Sequence, residues 1–263
     1  MMPPIGELLL MLGMATAAGL VGCFAVMRRM TLASDAISHV ALPGIGLALL
    51  LGVRPLLGAV VMLLVGTLLI WFIEARTRMA TETVIGVVFS AALAVGALFT
   101  PGESLIEALL GRPGMLTGWE LGFGIAASIA VAGFVLGQRD RLVISLVSPD
   151  MARTSGIEVS RLSLLYLVTF AITVALGLRY LGVLLMGSLI IIPAATAKYL
   201  ATSLSSMLAI AVAVAVTSTL AGTVVARIND CDTGPVIITI TAAVFFVAVL
   251  GRRRAGESRS RGG

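Results

Sequence analysis

Apolar residues in this chain come in nine long blocks separated by short polar interruptions, at about 5–27, 32–52, 55–73, 83–100, 119–137, 160–178, 181–200, 204–226 and 235–250. A helix needs roughly 17–25 residues to cross a bilayer, and only the last block is short by that measure. The pattern predicts an all-α, polytopic transmembrane helix bundle of about eight or nine spans. One re-entrant or split block would change the count to eight or ten. Residues 1–250 read as one transmembrane unit and 251–263 as a solvated basic tail. The fourth interruption, Pro101 to Gly118, holds a semi-apolar run, SLIEALLG, which suits a short surface or re-entrant helix.

The second block is the one whose polar positions stand out. Arg28 to Leu50 reads RRMTLASDAISHVALPGIGLALL and carries Asp35 and the chain's single histidine, His39. An Asp near a bilayer centre costs about 2.5–3.5 kcal/mol on insertion scales, so an ionisable residue there points to function. Asp35 and His39 are i and i+4 and share a helix face. Pro43, four residues on, has no N–H for the His39 carbonyl, and its ring clashes with that carbonyl. One face would then carry a carboxylate, an imidazole and a freed C=O. Two plain structural readings stand beside this: Asp35 as a charge suited to a helix N-terminus at the membrane surface, and His39 as a hydrogen-bonded packing residue.

Composition agrees with a membrane protein. The chain is 59% apolar and 12% charged, with mean hydropathy +1.11, where soluble domains average about 25% charged. The net charge of +5 comes from short loops and the tail without interleaved aromatics, so nucleic acid is not an expected partner; membrane lipids are. With the N-terminus outside and all nine blocks crossing, 14 of the 18 Lys and Arg lie inside, leaving Arg54, Arg112, Arg179 and Arg227 outside. The opposite orientation inverts that ratio, against the positive-inside rule. Met1 to Leu10 lacks a basic n-region, so the first block is expected to remain in the mature chain. Cys23 reads as a small packing residue, and Cys231 sits among polar residues as an inert thiol or a ligand.

Absences narrow the chemistry. No G-x-x-x-x-G-K-[ST] occurs and the sole lysine, Lys198, has no such surroundings, so any ATP would be bound by another chain. There is no H-E-x-x-H, and one histidine makes no multi-histidine zinc cage. A membrane serine hydrolase built on Ser188 and His39 has only the weakest signal, and the chain is not expected to be an enzyme.

Three further segments carry candidate chemistry. Gly182 to Leu200, GVLLMGSLIIIPAATAKYL, combines small residues with Pro193. It reads as close helix packing or as a helix broken at Pro193 beside a pathway. The long inner segment from Gln138 to Arg161 allows a short helix with Pro149 at its first position, Asp150 in its first turn and Gly156 ending it. That is either an amphipathic loop or a docking knob, at about 142–161, for a cytosolic partner. Before the last block, Asn229-Asp230-Cys231-Asp232-Thr233-Gly234-Pro235 reads as a capped outer turn or as an ion-attracting cluster.

Several of these stretches together resemble one family: the integral-membrane permease subunits of bacterial zinc and manganese ABC importers, the metal ABC transporter permeases of the ABC-3 family. Asp35-Ala36-Ile37-Ser38-His39-Val40-Ala41-Leu42-Pro43-Gly44 is similar to that family's D-A-[IL]-S-H-x-x-L-P-G signature. Glu82 to Ser90, Asp150-Met151-Ala152 with Gly156, and Gly182 to Ala197 resemble further blocks in the same order. Two departures stand out: Val147 and Ser148 replace an aromatic and an Asp before the docking proline, and Asp232 replaces a proline in the D-x-P-[ST]-G entry to the last helix.

The resemblance implies the metal/cobalamin-type permease architecture and inward movement of a divalent cation, Zn²⁺ or Mn²⁺, with no tightly bound cofactor. It implies a permease homodimer, a separate ATP-binding cassette ATPase that hydrolyses ATP, an extracellular or periplasmic metal-binding protein, and a place in the bacterial cytoplasmic membrane. Asp35 and His39 would be transient metal ligands, with Asp230 and Asp232 further candidates. Pro149, Asp150, Ala152, Arg153 and Gly156 would dock the ATPase, and Pro43, Gly44 and Pro193 would shape the pathway. The alternatives are an iron–siderophore or cobalamin-type ABC permease, and a non-ABC secondary transporter or channel using Asp35 and His39 as a proton relay. Straight helices would keep Asp35 and Asp230 about 20 Å or more apart.

Overall fold

A computed structural model describes residues 5–77, 79–99 and 118–260, the side chains of 31–33, 179, 180, 184 and 252–260 excepted. The SLIEALLG run lies outside the described residues. The described residues form ten helices: α1 (Ile5–Met27), α2 (Thr31–His39), α3 (Ala41–Leu50), α4 (Pro55–Arg76), α5 (Thr81–Phe99), α6 (Gly118–Val147), α7 (Pro149–Thr154), α8 (Val159–Leu200), α9 (Leu204–Ile228) and α10 (Thr233–Ser260). Eight helical stretches are long and apolar enough to span a membrane, and α2 with α3 adds a shorter, broken apolar stretch over Ser34–Leu50. All nine apolar blocks are therefore helical.

α8 is not one rod. At 42 residues it would extend about 63 Å when straight, twice the hydrocarbon core of about 30 Å. Gly182 has φ 68 and ψ 179, a conformation essentially restricted to glycine. The chain reverses there: the Tyr166 hydroxyl, from the first half, donates to the Val21 carbonyl at 3.0 Å, while Ile190, from the second half, lies against Gly22. Residues 24 positions apart thus meet neighbouring positions of α1, which requires a helical hairpin of Val159–Leu178 and Leu181–Leu200. Of the two readings of this segment, close packing or a break at Pro193, the break does not form: Pro193 lies within the second half. Membrane helices tolerate such prolines where neighbours satisfy the freed carbonyl. The break belongs to the glycine.

α1 is the central helix, 78% buried along its apolar stretch against 17% for α10. Its small residues allow close packing: Gly19 lies against the α9 backbone at Ala211, and Gly22 against α8. α10 carries on past its apolar part to Ser260, so the helix extends into the basic tail.

The inner end of the bundle is closed by a polar cluster. Arg28, just past α1, stacks its guanidinium 4.5 Å over the Tyr166 ring and donates from Nη1 to Ser163 Oγ at 3.4 Å. Trp71 Nε1 donates to the Ser160 carbonyl at 3.0 Å, and Thr81 Oγ1 donates to Glu74 Oε1 at 2.8 Å. The C-terminal ends of α1 and α4 and the N-terminal ends of α5 and α8 meet here, on the face that the charge count expects to be inner. At the opposite end Arg54 pairs with Glu120 at 3.3 Å, joining the starts of α4 and α6.

Candidate metal site

α2 stops at His39, and Val40 N–H turns back to the Ile37 carbonyl at 3.1 Å. α3 restarts at Ala41 with Pro43 in its first turn, where proline's missing N–H is harmless. The break therefore falls one turn before the proline, at the carbonyl it cannot serve. α3 is then clamped between neighbours: Gly44 packs on Gly58 of α4, and Gly96 of α5 sits where a Cβ would come 3.0 Å from Leu42 Cβ.

His39 thus stands at a helix end midway through the broken stretch. Its Nδ1 lies 2.9 Å from the Asp35 backbone oxygen. A carbonyl only accepts, so in this contact Nδ1 is the donor and Nε2 is the ring nitrogen left for a ligand. This is the arrangement by which metal-ligating histidines fix their tautomer. The Phe89 ring of α5 meets the imidazole edge-on, with centroids 5.5 Å apart and an interplanar angle of 81°. The Asp35 carboxylate makes no hydrogen bond or ion pair among the described residues, and Asp35 is exposed while His39 is half-buried. The pair opens outward from this chain rather than into its core.

Two contacts that sequence reasoning missed hold α2 in place. The buried Ser38 hydroxyl lies 2.7 Å from the Asp35 carbonyl and 2.8 Å from the Val183 carbonyl of α8. Gly187 of α8 lies against Asp35, where an added Cβ would be 2.9 Å from Asp35 Cα. The signals were faint: a serine three residues from the aspartate, and a glycine one turn beyond the hairpin glycine.

The other candidates lie elsewhere. Asp230, Cys231 and Asp232 are exposed in the outer turn between α9 and α10, with Asp230 at φ 52 and the Cys231 thiol donating to the Asn229 carbonyl at 3.3 Å. Among the described residues, no three His, Cys, Asp or Glu side chains gather as a metal cage, so the outer aspartates do not join Asp35 and His39. On the inner face, α7 forms as the sequence indicated. Ser148 caps it by accepting from Met151 N–H at 3.3 Å, Pro149 takes its first position, Arg153 pairs with Asp150 at 3.4 Å, and Gly156 follows with φ 77. Ala152 is buried under it, while Val147 and Met151 are 79% and 63% exposed, leaving an apolar knob facing outward. Beside it opens a cavity of about 950 Å³ lined by Trp71, Glu74, Arg153, Glu158 and Arg161 among others.

A family model described as "ABC 3 transport family" matches residues 6–252. The chain belongs to that family. It is a multi-pass membrane protein, the permease subunit of an ABC transporter, and ATP hydrolysis resides in a separate chain. It is 28% identical over 239 residues to the high-affinity zinc uptake system membrane protein ZnuB of Haemophilus influenzae, covering 89% of this chain and 91% of that one. It is 29% identical over 235 residues to the manganese transport system membrane protein MntC of Halalkalibacterium halodurans, covering 88% and 80%. Among solved structures it is similar to PsaBC from Streptococcus pneumoniae in complex with Fab, with TM-score 0.78 and 26% identity, covering 92% of this chain and 88% of that one.

Proposed function

We propose that this permease moves a divalent transition-metal ion, Zn²⁺ or Mn²⁺, into the cell, with the Asp35 carboxylate and His39 Nε2 as its transient ligands. The observation that carries this reading is the His39 Nδ1–Asp35 carbonyl hydrogen bond of 2.9 Å, which engages one ring nitrogen and leaves Nε2 for a ligand. Carboxylate and imidazole suit these cations, whereas Cu⁺ would call for sulfur. Relatives named for zinc and for manganese match about equally well, so the reading stops at the cation class.

Two ligands are too few for a cation at rest, and the pair is exposed. A second copy related by a two-fold axis would bring the same two groups to the same place, giving two carboxylates and two imidazoles. Such a site assembles from halves and comes apart when the copies separate, as a transport site must bind and then release. The exposed knob of α7, with Pro149, Asp150 and Arg153 outward, Ala152 beneath and Gly156 closing it, is the surface for the ATPase. An extracellular binding protein would deliver the ion to the face that carries Asp230 and Asp232.

A proton relay is the second reading, and one observation counts against it. His39 Nδ1 is engaged by the Asp35 backbone, not by its carboxylate, so the two side chains are not hydrogen-bonded to each other through that nitrogen. The test is metal accumulation in cells lacking their own importer, with the cognate ATPase and binding protein supplied. Uptake that depends on the ATPase and disappears in Asp35→Ala and His39→Ala supports the proposal. Uptake that persists in both variants refutes the site, and ATPase-independent uptake refutes the mechanism.

A further inference from the structure

Where α2 packs along the second half of α8, two of its closest contacts lie one turn apart. Ser38 Oγ is 2.8 Å from the Val183 carbonyl, and Asp35 Cα packs on Gly187. The spacings are three residues on α2 and four on α8, on helices running in opposite directions. Two contacts one turn apart, within the wider packing of α2 on α8 and α5, set the rotation of α2 about its axis at Asp35 and Ser38. The Asp35 carbonyl is common to the whole arrangement, because it also receives His39 Nδ1 at 2.9 Å.

The Ser38 hydroxyl has one hydrogen and two carbonyls within reach, at 2.7 and 2.8 Å. What it gives to Val183 it withholds from the Asp35 oxygen that steers the imidazole. Val183 directly follows Gly182, the turn of the hairpin. The hairpin's first half starts just behind α7, where Ile157 N–H donates to the Ala152 carbonyl at 3.0 Å. One continuous element therefore runs from the inner surface to the hydroxyl beside the ligand pair.

We propose that Ser38 is a positioning residue for metal transfer: its hydroxyl ties the ligand-bearing end of α2 to the α8 hairpin and sets the angle at which His39 Nε2 and the Asp35 carboxylate meet the ion. Movement of the hairpin relative to α2 takes Val183 out of reach, hands the hydroxyl hydrogen to the Asp35 carbonyl alone, and turns the imidazole. The inference rests on the reading of Asp35 and His39 as metal ligands. Gly187 acts in the same way from the α8 side, because any Cβ there would push on the Asp35 backbone.

The test is a Co²⁺ titration of the full-length permease purified with its cognate ATPase, followed by the visible ligand-field bands of the bound ion. Groups that orient a ligand typically cost 10–100-fold in affinity when removed. Ser38→Ala and Gly187→Ala are therefore expected to weaken Co²⁺ binding about tenfold and to shift the bands. Ser38→Thr, which keeps a hydroxyl, should restore both, and His39→Ala should abolish binding. Wild-type affinity and bands in Ser38→Ala, or a Ser38→Thr variant no better than Ser38→Ala, would overturn the role of Ser38 while loss of binding in His39→Ala left the metal reading standing. Wild-type binding by His39→Ala would remove the metal reading itself and this inference with it. If Ser38→Ala does not assemble with the ATPase, Gly187→Ala decides: unchanged affinity and bands there overturn the proposal.

Discussion

Two groups of ionisable side chains sit in this bundle at different depths, and the fold treats them in opposite ways. At the inner end, Arg28 is sunk among Tyr166, Ser163 and the neighbourhood of Glu74, stacked on a ring and hydrogen-bonded. Burial draws its guanidinium below the ordinary value, and charge interactions with Tyr166 and Glu74 oppose that shift. Midway along the broken stretch, Asp35 and His39 are left open, their backbone and ring Nδ1 tied down while the carboxylate and Nε2 remain available. The inner cluster joins four helix ends through contacts among its own polar groups, although Arg28 Nε and Glu74 Oε2 are buried there without a hydrogen-bond partner among the described residues. The pair keeps its ligand atoms uncommitted at a cost that only a passing cation or a second copy offsets. A buried polar group with many partners reads as architecture; a restrained one with a spare lone pair facing outward reads as a site.

Breaking the pair should have the largest effect. Asp35→Ala and His39→Ala each remove a direct ligand and are expected to lower metal uptake by about 100-fold or more, above the usual cost of an orienting group. Complex assembly, followed by co-purification of the ATPase, should be unchanged. Next comes the hairpin that supports the pair. Gly182→Ala forces a side chain into a backbone conformation costing about 1–3 kcal/mol, so it should lower thermal stability of the purified complex and reduce uptake together. Arg28→Met tests the other half of the comparison. It removes a ring-stacked cation worth about 0.5–2 kcal/mol and should lower thermal stability while leaving the apparent KM for metal within about twofold, since the cluster holds no ligand. The smallest effect is expected at the docking knob's cap. Ser148→Ala should cost about 1 kcal/mol of local helix stability, read as faster amide exchange in α7, with metal affinity unchanged.

Much of this was legible in the sequence. Eight of the nine apolar blocks became helices long enough to span a bilayer, because bilayer thickness sets their length, and the remaining one became the two short helices α2 and α3. The break after His39 followed from Pro43, whose effect on residue i−4 is a local rule. α7 followed from Pro149, Asp150 and Gly156 for the same reason. The hairpin turn fell where the sixth and seventh blocks part, between 178 and 181, but the sequence did not single out Gly182 as the residue that makes it, and the break offered at Pro193 did not form. A glycine's left-handed conformation is chosen by the packing around it, here α1 receiving both halves of α8, and leaves no mark in composition. Nor could the sequence say which way Asp35 faces. The i, i+4 rule puts two side chains on one face but does not say what that face meets, and Ser38–Val183 and Asp35–Gly187 are contacts across about 150 residues of chain.

The central claim, that Asp35 and His39 Nε2 hold the ion, is tested most directly by zinc X-ray absorption on the purified permease–ATPase complex and on its His39→Ala variant. The account predicts a shell of nitrogen and oxygen only, at about 2.0–2.2 Å, with imidazole scattering that vanishes in the variant. A sulfur shell at about 2.3 Å, or an imidazole signature that survives His39→Ala, would contradict it.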